Sequence, residues 1–384
     1  MKKTAIIPLR KGSKGIPGKN KKKLVGRPLF SWVLSEAIFS NLDEVYVFTD
    51  DVEIINYVNR EYAWTSKVKT ALRSEENAVD TASTESVMIE FVENVTANFE
   101  ILCLLQATSP FTRATDINAV LKEVIEGRDA ALTVVNTHRF TWNADGTPQN
   151  YDVFQRPRRQ DFEGLLIENG AIYATTKKAF LETRNRVSGS IGLVHMSEDS
   201  LTEIDSMSDW LIVENLLIQR LKREKLQQRI DYLVLDVDGV FTDGRVAYNK
   251  NGEDFKVFDM RDGMGLEILR QNNVKVIVLT SEDSELVAQR MRKLQIEDTF
   301  LAVKDKYSFL QNYLQMQGIT KGALAYVGDD VNDMANMCSV GWSFAPVNAV
   351  DTIKQNADLV LTNASGAGAI REVCEWIMKY NIRY

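Results

Sequence analysis

Short apolar runs alternate with polar loops and with stretches of helical period from the start of the chain. Ala5 to Pro8 is apolar and gives way to a loop of glycines and basic residues that ends at Asn20. LFSWVLSEAIFS then has helical periodicity, and EVYVFTDD is a strand ending in Asp50 and Asp51. This is the grammar of a βαβ unit, which predicts a parallel sheet with its ligand beyond the carboxyl ends of the strands. The Arg10 to Asn20 loop and Asp50 then share one crevice. LRSEENAVDTASTESVMIEFVE closes on a helix whose first turn carries Ser83 and Thr84. FEILCLLQATSPFTR is a further strand running into a polar loop at Gln106, Thr108, Ser109 and Arg113. Each of these hydroxyls is equally suited to capping a helix.

Further on, SDWLIVENLLIQRLKREKLQQR reads as an amphipathic helix grading into a charged tail, with no Pro or Gly to break it. A chain of 384 residues is long for one core. The boundary is expected near residue 228, giving domains over 1–228 and 229–384. The second opens on IDYLVLDVDGVFTDG, an apolar strand running into Asp236 and Asp238. In an extended strand, residues two apart share a face, so both acids can serve one centre. Two such acids without a nearby His point to a metal; the alternative is a pair of turn-capping acids.

The loop after the first strand has a phosphate-binding profile. Glycines at 12, 15 and 18 let backbone N–H groups approach an anion, and Arg10, Lys14 and Lys19 supply positive charge. It is not a P-loop, because Ser13 and Asn20 stand where that motif needs Gly and Ser or Thr. A solvated basic turn is the plainer alternative. Net charge of -7 and a pI near 5.2 argue against wholesale binding of nucleic acid or anionic membrane. The local run Lys19 to Lys23 lacks interleaved aromatics, so no nucleic-acid partner is expected. Pro8 and Arg10 cut the apolar start far short of a signal peptide, and no later segment reaches membrane-spanning length. Cys103, Cys338 and Cys374 are scattered and odd in number, which suits a reduced, cytoplasmic protein. With His138 and His195 the only histidines, proton transfer falls to carboxylates, lysine or metal-bound groups.

Taken together, the segments of the first 220 or so residues resemble the acylneuraminate cytidylyltransferases. The match runs through Arg10, Gly12, Ser13, Lys14, Gly15, Pro17, Lys19 and Asn20, then FTDD at 48–51, Arg73, DTAS at 80–83, LLQATSP at 104–110, RQD at 159–161 and ENGAIY at 168–173. The resemblance implies a nucleotidyltransferase fold in which the anomeric hydroxyl of a sugar acid attacks the α-phosphorus of CTP and expels pyrophosphate. It implies that Arg10, Lys14 and Lys19 grip the triphosphate, that Asn20, Arg73, Ala82 and Thr84 contact the nucleotide, and that Gln106, Asn169 and Tyr173 hold the sugar acid. It also implies Asp205 as a magnesium ligand. The chain departs from the family at Glu203, where Asp is expected, at Ala107, where Pro is expected, and in LRKG, where ARGG is usual. The related Kdo cytidylyltransferases lack SKGIPGKN, which favours a nine-carbon ulosonic acid.

The remainder, 229–384, resembles the haloacid dehalogenase-like phosphatases. DVDGVFTDG at 236–244, Thr280 at the end of VKVIVLT, Lys306 in KDK and YVGDDVND at 326–333 occur in the family's order. The resemblance implies Asp236 as nucleophile, Asp238 as proton donor and acceptor, and Thr280 and Lys306 on the phosphoryl oxygens. It further implies magnesium held by Asp236, Asp329 and the backbone at Asp238, with Asp333 in support. Only a short hairpin fits between the first two motifs, so no cap domain is expected. Capless relatives close their sites by forming tetramers, which makes a homotetramer the expectation. The tail GAGAIREVCEWI has Ala367 where those relatives carry Arg. Ser281 and Glu282 follow Thr280, and Arg290 and Lys293 lie one helical turn apart. This set resembles the branch acting on nine-carbon 9-phosphates, with Glu282, Arg290 and Lys293 at the substrate. The expected protein is an α/β chain of two Rossmann-like domains that dephosphorylates such an acid and couples it to CMP. The rival expectation keeps the transferase and makes the second domain an oligomerisation scaffold.

Overall fold

The structure is a computed structural model and describes residues 1–96, 98–250 and 252–384. The chain forms two compact units, one of Met1–Leu24 with Pro28–Glu214, the other of Val25–Arg27 with Asn215–Tyr384. The amphipathic segment forms the helix Met207–Arg223, and the division falls inside it.

The first unit is built on a seven-stranded sheet in the order Val68–Leu72, Glu44–Thr49, Lys3–Leu9, Ile101–Leu105, Leu165–Thr176, Ala130–Thr137, Ile191–His195. Lys3–Leu9 is parallel to both its neighbours, while Leu165–Thr176 is antiparallel to both of its own. Ala5, Ile6 and Ile7 are wholly buried because helices cover both faces, which is why the strand reads as a continuous apolar run. Pro8 interrupts little: pairing with Ile101–Leu105 ends at Ile6, so the missing N–H falls where one neighbour has been left behind. Asp51 caps the helix Val52–Glu61, accepting from Glu53 N at 3.0 Å, and Ser83 caps Thr84–Asn94, accepting from Ser86 N at 3.0 Å. Ser83 is thus a helix cap.

The second unit holds a six-stranded, all-parallel sheet in the order Asp298–Phe300, Lys275–Leu279, Tyr232–Leu235, Leu324–Val327, Trp342–Ala345, Leu359–Val360. Its core gathers Leu233, Leu235, Val278 and Val327 from the strands with Leu269, Val373 and Ile377 from helices. Burial of each such side chain contributes about 1.5–3 kcal/mol. Between the first two motifs the described residues form a two-stranded hairpin, Ala247–Asn249 with Gly252–Phe255, followed by the helix Met260–Gln271 and the strand Lys275–Leu279.

Both sheets reverse their strand order once beside the first strand of the unit. In the first, successive strands run outward from Lys3–Leu9 through Glu44–Thr49 before the chain crosses to Ile101–Leu105 on the other side. In the second, the same reversal lies between Tyr232–Leu235 and Leu324–Val327. Each reversal opens a crevice at the carboxyl ends of its two strands.

Two candidate active sites

In the first unit that crevice is a cavity of 210 Å³. Arg10, Lys19, Asn20, Arg73, Ala82, Thr84 and Gln106 all line it. Asp50 accepts from Lys11 N at 2.7 Å and Asn20 Nδ2 donates to the Arg10 carbonyl at 3.0 Å, so the glycine loop is tied at both ends. Gly15 passes against the backbone of Asp205, where a Cβ would stand 2.1 Å from the carbonyl oxygen. No larger residue fits that crossing.

The cations are already engaged by acids. Asp80 accepts from Arg10 and lies 2.7 Å from the Lys14 ammonium. Lys14, and after it Arg10, hold the Asp80 carboxyl below its ordinary range despite some desolvation. Lys19 donates to the Ile204 carbonyl at 2.7 Å, with Asp205 Oδ1 at 3.4 Å. Arg73 is buried, lines the cavity, donates to the Asn77 carbonyl and leaves its Nε buried without a partner.

Two residues expected at the sugar acid, Asn169 and Tyr173, do not line that cavity. Asn169 is buried with both ends of its amide used: Thr133 Oγ1 donates to its Oδ1 at 2.7 Å, and its Nδ2 donates to Ser200 Oγ at 2.9 Å. Tyr173 packs in the core, donates to Glu168 at 3.0 Å and carries Arg186 over its ring at 4.7 Å. Both side chains are held by partners on or beside the strand Leu165–Thr176. Asp205 is exposed and sits beside Lys19, and Glu203 is exposed, its carboxyl raised by desolvation and then by Asp205 against the pull of Lys19.

The second crevice is acidic. Asp236 Oδ2 lies 2.6 Å and Asp333 Oδ1 2.8 Å from the fully buried Lys306 ammonium. Tyr326 also donates to Asp333 at 2.7 Å. Burial opposes the charge on Lys306, but Asp236 and Asp333 together outweigh it and hold the lysine protonated. Asp236 is pushed up to about 7 by burial, with Asp333 adding and Lys306 opposing. Asp329 is pushed up to about 8 by burial, then by Asp333 and Asp236. One oxygen from each of Asp236, Asp329 and Asp333 falls within 4.8 Å of the others. Asp329 Oδ1 is buried with no hydrogen-bond partner. Hard carboxylate oxygens at that spacing, one of them orphaned, fit a divalent cation such as magnesium. Among the described residues no other group of three acids does so, Asp205 included. Gly239 permits the arrangement: its φ is +88°, and a Cβ would lie 1.9 Å from Asp329 Oδ2.

The carboxylate of Asp238 is not in that group. It is gripped by Lys256, whose Nζ donates to both oxygens at 2.7 and 2.8 Å, which leaves only its backbone for a metal. Thr280 is buried at the end of its strand, and its Oγ1 accepts from Glu282 N at 3.3 Å. Glu282 pairs with Lys304 at 2.9 Å, Arg290 lies over the Phe258 ring at 5.5 Å, and Lys293 is exposed. Asp80 and Lys256 are functional neighbours that the sequence did not single out. Asp80 lay inside a recognised motif without a role, and Lys256 lies in a hairpin that carried no motif.

The sequence pattern of a family described as cytidylyltransferase matches residues 4–193, and that of a haloacid dehalogenase-like hydrolase matches residues 300–373. N-acylneuraminate cytidylyltransferase B of Danio rerio is 32% identical over 389 residues, covering 98% of this chain and 90% of its own. N-acylneuraminate cytidylyltransferase of Oncorhynchus mykiss is 30% identical, covering 97% and 88%. The 3-deoxy-D-manno-octulosonate 8-phosphate phosphatase KdsC of Haemophilus influenzae is 36% identical over 157 residues, covering 41% of this chain and 87% of its own.

Proposed function

Since the chain belongs to the N-acylneuraminate cytidylyltransferase family and joins to it a haloacid dehalogenase-like phosphatase unit, we propose that its two crevices serve consecutive steps on one nine-carbon ulosonic acid. The phosphatase unit removes the 9-phosphate of KDN or a sialic acid, and the transferase unit couples the free acid to CMP from CTP.

The observation that carries this reading is the assembly of Asp236, Asp329 and Asp333, with Lys306 bridging Asp236 and Asp333. A domain kept only as an oligomerisation scaffold has no need to gather four charged groups, three of them buried, an arrangement that is costly without a ligand. Asp236 attacks phosphorus, the bond to the sugar oxygen breaks, and that oxygen takes a proton from Asp238. Water then attacks the aspartyl phosphate and returns a proton to Asp238, freeing Asp236 and inorganic phosphate. Lys306 and Thr280 hold phosphoryl oxygens. Asp236, Asp329 and the Asp238 backbone, with Asp333 in support, would hold magnesium, which would supply charge neutralisation between nucleophile and phosphate.

In the transferase unit, Arg10, Lys14 and Lys19 take the triphosphate as Asp80 and Asp205 release them, and charge developing on phosphoryl oxygens meets cations already in place. Arg73, Asn20, Ala82 and Thr84 hold the nucleotide, and Gln106 faces the sugar acid. No helix among the described residues is long and apolar enough to cross a membrane. We place the enzyme in the cytoplasm as a homotetramer, in which neighbouring subunits close the capless phosphatase site.

The test is phosphate release from KDN 9-phosphate and N-acetylneuraminic acid 9-phosphate with magnesium, beside Asp236→Asn. Release that the variant abolishes supports the reading and ranks the two substrates. Formation of CMP-sugar without any phosphate release would favour the scaffold.

A further inference from the structure

Lys256 follows the second strand of the hairpin formed by Ala247–Asn249 and Gly252–Phe255. Side chains alternate along extended chain, and here the alternation is inverted: Phe255 and Val257 are exposed while the Lys256 side chain between them is fully buried. A buried ammonium is costly unless its partners are well placed. Its chief partner is Asp238, both of whose oxygens accept from Nζ, at 2.7 and 2.8 Å. Glu253 Oε1 lies 3.6 Å away on the other side, and Glu253 itself accepts from Ser284 Oγ. Ser284 stands just before the helix Glu285–Lys293, in the loop that begins at Thr280.

A carboxyl that gives a proton to one oxygen and takes one back from another must keep its direction through both half-reactions. Two-point contact from a rigidly held donor supplies that. We propose that Lys256 is a positioning residue of the phosphomonoesterase reaction: it fixes the Asp238 carboxyl toward the leaving oxygen, and Glu253 with Ser284 fixes Lys256 in turn. The inference rests on the proton role given to Asp238 above. The covalent steps are those already described. The Asp236 to phosphorus bond forms as the phosphorus to sugar-oxygen bond breaks, and the electron pair left on that oxygen takes the Asp238 proton. Attack by water then breaks the aspartyl phosphate and returns one proton to Asp238. Lys256 makes and breaks no covalent bond.

The experiment compares wild type, Lys256→Met, Asp238→Asn and the double variant in steady state on an alkyl phosphate monoester with magnesium. Lys256→Met should lower kcat by about tenfold or more with KM within about twofold, because a misdirected acid impairs the chemical step and not ground-state binding. Asp238→Asn should lower kcat further. The double variant should be no slower than Asp238→Asn alone, since a residue acting only through Asp238 has nothing left to position. Lys256→Arg, which keeps two-point donation, should recover most of the loss. The inference is overturned if the double loss equals the product of the single losses. It is equally overturned if Lys256→Met is as fast as wild type, or if its loss comes with a raised KM that Arg does not repair. An Asp238→Asn enzyme of undiminished kcat would instead remove the proton role of Asp238.

Discussion

The two crevices occupy the same topological position and carry opposite charge. In the first unit, cations line the cavity and acids accompany them from its margin; in the second, acids form the centre and a lysine is locked among them. The difference follows from what each ligand brings. A nucleoside triphosphate carries its own negative charge, so its site needs donors and positive groups. In the proposed phosphatase reaction a carboxylate attacks an anionic phosphomonoester, so like charges meet and a metal between them would offset the repulsion. Exposure differs in the same sense. Asp80 and Asp205 are 31% and 76% exposed, so in the proposed exchange solvent can receive these counter-charges. Asp333 and Lys306 are wholly buried, and breaking such a pair costs about 3–5 kcal/mol.

Removing the nucleophile is the sharpest way to separate the crevices. Asp236→Asn should lower phosphate release by about 10³-fold or more and leave CMP transfer intact. Parallel loss of both activities would mean that the two sites do not act independently. In the other direction, Lys19→Met should lower CMP-sugar formation by about 10²–10³-fold, the usual cost of one preorganised charge at a developing oxyanion. Phosphate release should not change. The two variants together form a reciprocal pair, and mixing them in one tube should restore the coupled sequence from sugar phosphate to CMP-sugar.

The metal gives the next contrast. Asp329, raised to about 8 in the folded state from an ordinary 3.8, holds a proton that the unfolded chain releases between those values. The stability this contributes is whole below the unfolded value and is lost as pH rises through about 8. In EDTA, the thermal transition that magnesium shifts should therefore fall as pH is raised from about 5 to 8.5. Added magnesium should raise it more at the upper end, where the carboxylates are ionised, than at the lower. An unchanged transition across that range, with and without magnesium, would remove the acidic cluster as the metal site.

How much of this was legible varies with the range of the interactions. Strands such as Ala5 to Pro8 and Tyr232–Leu235 are short, apolar and followed at once by their chemistry, so order along the chain places Arg10, Gln106, Asp236 and Thr280 at strand ends. Asn169 and Lys256 show where this stops. The amide of Asn169 bonds Thr133 and Ser200, 36 and 31 residues away, and nothing in its own segment names those partners. Lys256 sits between two apolar residues that local patterning would turn inward, and the tertiary fold reverses the choice. The burial of a charged group is decided by partners the local pattern does not name.

Residues at the rim of the phosphatase crevice should have the smallest effects, and they probe how far the comparison extends beyond the reacting atoms. Glu282 and Lys304 form an exposed pair, 44–60% open to solvent, of the kind that contributes about 0–1 kcal/mol. Glu282→Gln should therefore leave thermal stability unchanged within error. If Glu282 meets the polyol of a nine-carbon acid, the variant should raise KM for the 9-phosphate a few-fold while leaving an aryl phosphate, which lacks that polyol, unaffected. Equal KM shifts for both esters would show that Glu282 acts on the site's overall charge. No shift for either would leave Lys304 and Glu282 as a surface pair, with selectivity for the sugar set by groups nearer to phosphorus or by a neighbouring subunit.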